Sequence, residues 1–237
     1  MARIFKEEDY NARRNEILDY VLSLVYSKGY ERMTIQDILD GLHISRGALY
    51  HYFDSKQTLL EGLVERMGKQ GIQNLLPIIQ DPNLNATQKM FRCLERMAQL
   101  KNAQKEFLLT LLPIWLSEQN ATFRQKLTAD SIKWAPTMIF EPIIRQGIQE
   151  GTFTVHYPAQ VARIIMGIAL TISDAITELI LVPHPNQETV QEAEAILDTY
   201  FDSIERILGA QTGTLRAFTM EDFKEWWAQP ISNPVSS

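Results

Sequence analysis

The segment TIQDILDGLHISRGALYHYFDSKQTLL, residues 34–60, contains two short amphipathic patterns separated by a three-residue turn. The first pattern follows Thr34, and Asp37 stands three positions later, which is a variant of the helix capping box. The second pattern follows Ser45, a residue type that commonly caps a helix N-terminus. Two short helices joined by such a turn form a helix-turn-helix, whose second helix lies in the major groove of DNA. The segment therefore predicts an N-terminal DNA-binding unit.

The second of these helices is expected over residues 45–53, with one apolar side and one exposed side. Leu49 and Phe53 are spaced i, i+4 and should face the protein core. The pair Gly47-Ala48 leaves no bulk near the start of the helix, so its backbone could approach base edges closely.

Residues 11–65 resemble the amino-terminal signature of the TetR/AcrR family of transcriptional regulators. The shared features are the Tyr-x-x-Phe pattern of Tyr50 and Phe53, the turn that follows, and Lys56 at the opening of the fourth helix. The resemblance implies an all-α fold, a homodimer, and a carboxy-terminal domain that binds a small molecule and thereby controls the affinity of the protein for a palindromic operator. Beyond this stretch it rests on helix count and the RQGIQEGTF turn, residues 145–153.

The resemblance also implies roles for individual residues. Tyr50 matches a tyrosine that contacts a phosphate, and Lys56 matches a phosphate-binding lysine. His51 and Tyr52 match positions that touch the DNA backbone or base methyl groups. Packing of Tyr52 against the first helix, and a solvated surface position for His51, stay open as alternatives. For Lys56, an ammonium at a helix N-terminus forms an anion site on physical grounds as well.

Other residues are candidates because of their chemistry. The hydroxyl of Thr34 and the amide of Gln36 could bond phosphate oxygens. The guanidinium of Arg46 could read guanine O6 and N7 together, which contributes about 1–3 kcal/mol of base discrimination. The predicted DNA-binding residues are thus Thr34, Gln36, Ser45, Arg46, Gly47, Ala48, Tyr50, His51, Tyr52 and Lys56.

The charge of the chain limits what kind of nucleic-acid contact it can make. The 237 residues carry a net charge of −6, so any such contact must be local. Residues 1–60 hold eight basic and nine acidic side chains, a net charge of −1. A DNA-binding unit usually carries more positive charge. Modest non-specific affinity and a shallow salt dependence are therefore expected.

The remainder of the chain predicts a larger helical domain. Helical periodicity runs over about 86–103, 104–118, 122–149, 158–181 and 187–208, and no segment gives a firm strand signal. Pro136 and Pro142 should kink or interrupt the third of these helices. The predicted fold is all-α, with a helix-turn-helix domain at 1–65, a ligand-binding and dimerisation domain at 66–210, and an additional segment at 211–237. That segment contains an amphipathic piece, 215–227, and a tail expected to be disordered.

Aromatic and methionine side chains in the larger domain suggest an apolar ligand pocket, although side chains at such spacing are more often core. Asp174 lies in an apolar helix and could bind a cationic or hydroxylated ligand, or serve as a polar interface residue. The effector is expected to be largely apolar. The candidate ligand-binding residues are Phe91, Met97, Phe107, Trp115, Trp134, Met138 and Asp174.

Two segments are more hydrophobic than one outer helix requires, namely 161–181 and the regular apolar face of 189–208. Two such helices from each of two chains could form a four-helix bundle, which predicts a homodimer; a purely intramolecular core is the alternative. A dimer suits a two-fold operator, whose recognition helices lie about 34 Å apart.

Enzymes and metalloproteins are not favoured by the sequence. The four histidines show no metal-ligand spacing, and there is no nucleophile elbow or phosphate-binding glycine loop. No enzyme, metal or cofactor is therefore expected. The single Cys93 lies among apolar residues and predicts an inert core thiol.

The apolar segment 161–181 is broken by Arg163, Asp174 and Glu178, and the first ten residues do not form a signal peptide. A cytoplasmic regulator without a membrane partner is expected. The alternative function is a helical protein that binds a small molecule or a partner and no longer engages DNA.

Overall fold

The computed structural model describes residues 2–116, 121, 125, 135–180 and 186–226, and within these ranges the chain is helical without strands. The helices are α1 (Ala2–Lys28), α2 (Ile35–Leu42), α3 (Arg46–Tyr50), α4 (Lys56–Gln80), α5 (Ala86–Ala103), α6 (Lys105–Leu116), α7 (Glu141–Glu150), α8 (Pro158–Ile180) and α9 (Gln187–Leu208). A π-helical turn, Pro136–Phe140, precedes α7, and a 3-10 helix spans Met220–Trp226. The predicted all-α class is confirmed.

The chain divides into two compact units. Unit 1 comprises Met1–Gln70 and Glu106–Asn120, and unit 2 comprises Gly71–Lys105 and Ala121–Ser237. The domain boundaries expected from the sequence, after residues 65 and 210, stay predictions.

The core of unit 1 forms where α1 packs against the short helices. Ile17 and Val21 of α1, Ile38 of α2 and Leu49 of α3 are completely or almost completely buried. Gly41 of α2 lies directly beneath the ring of Tyr20, where even one added carbon would collide with the phenol. The absence of a side chain at this glycine therefore lets α2 lie close against α1.

The core of unit 2 is built from the second part of α4, from α5, and from α7, α8 and α9. Phe140, Ile143, Met90, Ile165 and Ile204 lie in one contiguous buried cluster. Cys93 belongs to this cluster and has no exposed surface, and burial raises the pKa of its thiol to about 12. Only a thiolate is strongly nucleophilic, and this thiol stays protonated at neutral pH. Its surroundings therefore agree with the predicted inert core thiol.

Two proline residues lie where the long helix expected over 122–149 changes from α-helical to π-helical winding and back. Pro136 begins the π-helical turn, and α7 starts at Glu141 with Pro142 in its first turn. Proline has no N–H to donate to the helix, so the hydrogen-bond pattern changes near these two positions while the backbone stays helical from 135 to 150. Helix α7 ends at Glu150 and is capped by Gly151, which adopts the left-handed conformation with φ 73°. Most of 122–134 lies outside the described residues.

The C-terminal segment, residues 211–226, is held against α9 by a buried carboxylate. Glu205 is 3% exposed, and its two oxygens accept hydrogen bonds from the backbone N–H groups of Gly213 (2.8 Å) and Leu215 (2.7 Å). At the far end, Trp226 Nε1 donates to Asn102 Oδ1 at 2.5 Å. The helix predicted over 215–227 begins only at residue 220, because residues 211–219 form turns and extended backbone that lead across the surface of unit 2. The tail beyond 226 lies outside the described residues.

Candidate nucleic-acid interface

A capping box closes the start of α2, as the sequence predicted. Thr34 Oγ1 accepts a hydrogen bond from the N–H of Asp37 (3.1 Å), and Asp37 Oδ2 accepts from the N–H of Thr34 (2.9 Å). Lys28 Nζ lies 2.6 Å from Asp37 Oδ1. The hydrogen bond from Lys28, with those from Thr34, lowers the pKa of Asp37 to about 2. The end of α1 thus anchors the beginning of α2.

The turn between α2 and α3 is made by a residue in a left-handed conformation. His43 has φ 52°, and its N–H donates to the carbonyl of Leu39. The N–H of Ile44 donates to the same carbonyl at 3.1 Å. The imidazole of His43 is exposed. His43 therefore caps α2, which is the structural role favoured for a turn residue of this kind.

Helix α3 begins at the predicted cap but is shorter than predicted. Ser45 Oγ accepts the N–H of Ala48 at 3.2 Å, whereas the α-helix ends at Tyr50 instead of continuing to Phe53. The N–H groups of Tyr52 and Phe53 both converge on the carbonyl of Leu49, which forms a turn in place of a further helical residue. Leu49 is 0% exposed and Phe53 is also buried, so both fix the inner side of α3.

The outer side of α3 is open to solvent. Ser45, Arg46, Gly47, Ala48, Tyr50 and His51 are all exposed. A Cβ placed on Gly47 would meet only Ser45 Oγ, at 4.0 Å, so the backbone here can be approached closely. Among the described residues, Arg46 makes no ion pair or hydrogen bond. Its guanidinium is thus available for an external acceptor.

Three rings form an aromatic cluster beside the end of α3. The Tyr10 ring of α1 lies 4.7 Å from that of Tyr52 and 5.7 Å from that of His51, measured between centroids. The rings of His51 and Tyr52 are 5.1 Å apart and nearly perpendicular. Tyr52 is half-buried, in keeping with the alternative in which it packs against the first helix. Nothing in the local sequence pattern marked Tyr10 as part of this cluster.

Lys56 is held at the first position of α4. Its ammonium donates to the carbonyl of Glu31 at 2.9 Å and lies 4.4 Å from the centre of the Tyr30 ring. Burial, together with Glu31, raises the pKa of Tyr30 to about 12, so this ring stays neutral. An ammonium has three donors. Lys56 can therefore keep its contact with Glu31 and still bind a phosphate oxygen.

Several cations of unit 1 are engaged in internal ion pairs. Arg14 pairs with Glu65 at 2.8 Å, Arg66 with Asp19 at 2.6 Å, and Arg13 with Glu16. On α2, Gln36 is exposed and its amide donates to Asp40 at 2.7 Å. These ion pairs neutralise acidic side chains, but they also engage the cations that could otherwise bind DNA phosphates.

The candidate ligand-binding residues do not form one described site. Phe91 and Met97 pack half-buried against the core of unit 2, Met138 is 45% exposed and Asp174 is exposed. Phe107 is buried in unit 1, with its ring 6.1 Å from that of Tyr26. The Trp115 side chain and Trp134 lie outside the described residues.

A pocket of about 260 Å³ lies between α9 and the C-terminal segment and contains none of these candidates. It is lined by Asp198, Phe201, Asp202, Glu205, Thr212, Gly213 and Arg216.

Two parts of the sequence match known protein families. Residues 17–63 match the family described as bacterial regulatory proteins, tetR family. Residues 115–180 match the tetracyclin repressor-like C-terminal domain. The first match covers the helix-turn-helix and the helices that support it. The second match begins near the end of α6 and ends with α8.

Individual proteins show the same likeness. The HTH-type transcriptional repressor KstR2 of Rhodococcus jostii is 37% identical over 54 residues, which is 23% of this chain and 26% of that repressor. The chain thus matches about a quarter of the length of this relative. The HTH-type transcriptional regulator YfiR of Bacillus subtilis is 24% identical over 180 residues, 73% of this chain and 82% of YfiR.

Among solved structures, a TetR-family transcriptional regulator from Pectobacterium atrosepticum superposes with a TM-score of 0.54 at 19% identity. The superposition covers 86% of this chain and 97% of that structure. At this identity the likeness concerns the fold alone.

Proposed function

The chain belongs to the TetR family of bacterial regulatory proteins, and we propose that it is a repressor released from a palindromic operator by a small molecule. Family membership makes the chain a DNA-binding transcriptional regulator and not an enzyme. Repression, the homodimer, the operator symmetry and the effector belong to the proposal.

The observation that carries the proposal is the division of α3 between a buried and an exposed side. Leu49 is fully buried and fixes the helix, whereas Arg46 and Tyr50 are exposed on its outer side. An exposed arginine without a partner in the described chain is suited to guanine readout. Tyr50 and Lys56 would contact phosphates, as would Thr34 and Gln36 at the start of α2.

The larger unit supports a homodimer through α8, whereas the apolar face of α9 (Ala193, Leu197, Tyr200, Ile204 and Leu208) is buried within the chain. The segment Pro158–Leu179 is long and apolar enough to span a membrane by length and composition alone, yet little of it is buried within the chain. Ile164 on this helix is 51% exposed. Arg163, Asp174 and Glu178 on the same helix are charged and exposed, which suits an interface with a polar rim better than a lipid environment. A second copy of the chain would cover the apolar surface, and we place this dimer in the cytoplasm.

The effector would act by differential affinity for two arrangements of the dimer. A compound releases DNA only to the extent that it binds more tightly to the arrangement with low affinity for DNA. To shift nearly all of the protein to that arrangement, its binding free energies for the two arrangements must differ by about 5.5 kcal/mol. The candidate effector contacts stay proposals for each residue separately. Phe91, Met97, Met138 and Asp174 belong to unit 2, Phe107 and Trp115 belong to unit 1, and Trp134 lies outside the described residues.

An electrophoretic mobility shift with duplexes from the DNA upstream of this protein's own gene tests the proposal. Specific retardation that unrelated competitor DNA fails to remove is expected at low salt. A folded dimer that shifts none of these duplexes would contradict the proposal and favour the alternative of a helical ligand- or partner-binding protein. Compounds that raise the melting temperature in a thermal-shift screen are then tested for release of the shifted duplex.

A further inference from the structure

The core of unit 2 is tightly filled in the first halves of α5 and α8 and less so further along both helices. Leu94 of α5 and Ile165 of α8 lie fully or almost fully buried in one cluster. Further along the same side of α5, Met97 is half-buried and Lys101 is exposed. On α8, no residue from 166 to 173 is fully buried. The side chains of both helices thus become accessible in their later turns.

A hydrogen bond joins the two helices in this accessible part. Lys101 Nζ donates to Ser173 Oγ at 3.3 Å, and both residues belong to unit 2. Ser173 follows the exposed Ile164 by nine residues, which is two and a half helical turns at 3.6 residues per turn. Lys101 therefore approaches α8 from the side opposite to Ile164, and away from the proposed dimer surface.

The ammonium of Lys101 is accessible and yet poorly hydrated. Its side chain is exposed, but desolvation by the surrounding protein lowers its pKa, and the charge of Asp174 opposes this shift. A lysine on a convex surface keeps its full hydration, whereas a lysine that faces a recess is open to small molecules and partly dehydrated at once. The two observations together indicate that Lys101 faces a recess beside α8.

Two opposite charges and a hydroxyl group meet at this recess. Asp174 is exposed, directly follows Ser173, and acts electrostatically on Lys101. The ammonium disfavours a cationic ligand, and the carboxylate disfavours an anionic one. A neutral hydroxyl group can donate to the carboxylate and accept from the ammonium, and hydrogen bonds to charged groups are stronger than those between neutral groups. Met97, one turn before Lys101, offers an apolar contact for the rest of such a compound.

We propose that Lys101, Ser173 and Asp174 form the polar end of the effector site and bind a neutral, largely apolar compound through its hydroxyl group. The inference rests on the proposed function, because it names the chemical class of the effector. Of the roles that the sequence left open for Asp174, it selects contact with a hydroxylated ligand.

Isothermal titration calorimetry of the full-length protein without DNA tests this site with probes that share one butylphenyl group. The probe para-butylphenol carries a hydroxyl, and para-butylanisole carries a methyl ether that cannot donate a hydrogen bond. The other two probes are an anion, para-butylbenzoate, and a cation, para-butylbenzylamine. The variants K101M and D174N are compared with K69M and E192Q, which remove the same charges at exposed positions elsewhere in the chain. Circular dichroism establishes that each variant is folded.

Wild type should bind the phenol about 10-fold or more tightly than the ether, because one hydrogen bond to a charged group contributes roughly 10- to 100-fold in affinity. K101M should lose about 10-fold in affinity for the phenol and gain affinity for the cation. D174N should also lose affinity for the phenol, but it should gain affinity for the anion. Each variant removes the charge that repels the ion it gains, which a merely structural defect would not reproduce. K69M and E192Q should bind all four probes like wild type.

Equal affinity of wild type for the phenol and the ether, or binding of none of the probes, would overturn the inference. So would an unchanged order of probe affinities in K101M and D174N. These results would leave operator binding untouched, because the titration contains no DNA. A folded protein that binds the phenol as expected but shifts no duplex would instead overturn the proposed function and leave the ligand site in place.

Discussion

The ammonium of Lys28 lies 2.6 Å from the Asp37 carboxylate, so the last turn of α1 holds the first turn of α2. The same carboxylate accepts hydrogen bonds from the backbone N–H and the hydroxyl of Thr34, both at 2.9 Å. One ionised side chain therefore joins two helices and completes a helix cap.

The first prediction concerns acid stability. The pKa of Asp37 is lowered to about 2 in the folded protein from an ordinary value of 3.8. Its contribution to stability is therefore present above pH 3.8 and is lost as the pH falls towards 2. Asp37→Asn should remove this part of the acid dependence, measured by urea unfolding between pH 2 and pH 6. Asp40→Asn, on the same helix, is the control. Parallel acid profiles for wild type and Asp37→Asn would contradict the assigned role.

A second prediction concerns base readout. Arg46→Ala should lower discrimination at one base pair per half-site by about 1–3 kcal/mol, because alanine cannot form the bidentate hydrogen bonds to guanine. Its unfolding free energy should change little, since Arg46 is exposed. Affinities for duplexes substituted at each operator position provide the measurement. Arg32→Ala, which removes an exposed cation outside α3, should leave base preference intact. Retained preference in Arg46→Ala would remove this residue from readout.

A third prediction tests the close contact between α1 and α2. A Cβ on Gly41 would lie 1.8 Å from the Tyr20 hydroxyl, so Gly41→Ala forces this half-buried ring away and should not gain the roughly 1 kcal/mol of helix propensity that alanine otherwise has over glycine. Gly71→Ala, in α4, meets nothing within 4 Å and should be neutral or stabilising. Chemical denaturation measures both. Combining Gly41→Ala with Tyr20→Ala should cost less than the sum of the single changes, and strict additivity would argue against the clash.

A fourth prediction concerns the C-terminal segment. Glu205→Ala leaves the N–H groups of Gly213 and Leu215 without their carboxylate, and should cost roughly 2–4 kcal/mol of unfolding free energy. Glu205→Gln keeps one acceptor oxygen and should cost less. Limited proteolysis should cut within residues 211–226 more readily in Glu205→Ala than in wild type. Equal protection of the segment in all three proteins would show that other contacts, such as that of Trp226 with Asn102, suffice.

The fifth prediction tests the proposed dimer surface. Ile164→Lys places a charge on the exposed apolar side of α8 and should shift a dimer towards monomers, because that side would be desolvated in the interface. Ile148→Lys, at another exposed isoleucine on α7, should not. Sedimentation velocity over a range of concentrations distinguishes the two. If Ile164→Lys associates as strongly as wild type, the dimer interface does not include this side of α8.

Local signals explain why much of the fold could be predicted from sequence. The caps at Thr34 and Ser45 depend on residues only three positions away, and both form as predicted. The change of winding at Pro136 follows from the missing N–H of proline, although the π-helical form of the turn was not predicted. The length of α3 was overestimated, since Tyr52 and Phe53 keep helical side-chain spacing while their N–H groups share one carbonyl.

Contacts between distant residues could not be predicted in this way. Tyr10 meets Tyr52 across 42 positions of sequence, and its neighbours Glu8 and Asp9 mark only an exposed helix. Glu205 has the spacing of an ordinary helical acid, and its burial depends on a segment that returns after the helix ends. Periodicity identifies which side of a helix is polar, but not which later segment covers it.

The buried thiol of Cys93 makes the native chain a convenient background for spectroscopic labelling. It is the one cysteine in the sequence, has no exposed surface, and stays protonated at neutral pH. A cysteine introduced at Gln57, an exposed position near the start of α4, could therefore take a spin label without prior removal of the natural residue. In a symmetric assembly the paired labels would act as a molecular ruler. The distance between the two helix-turn-helix units could then be followed in solution as compounds are added.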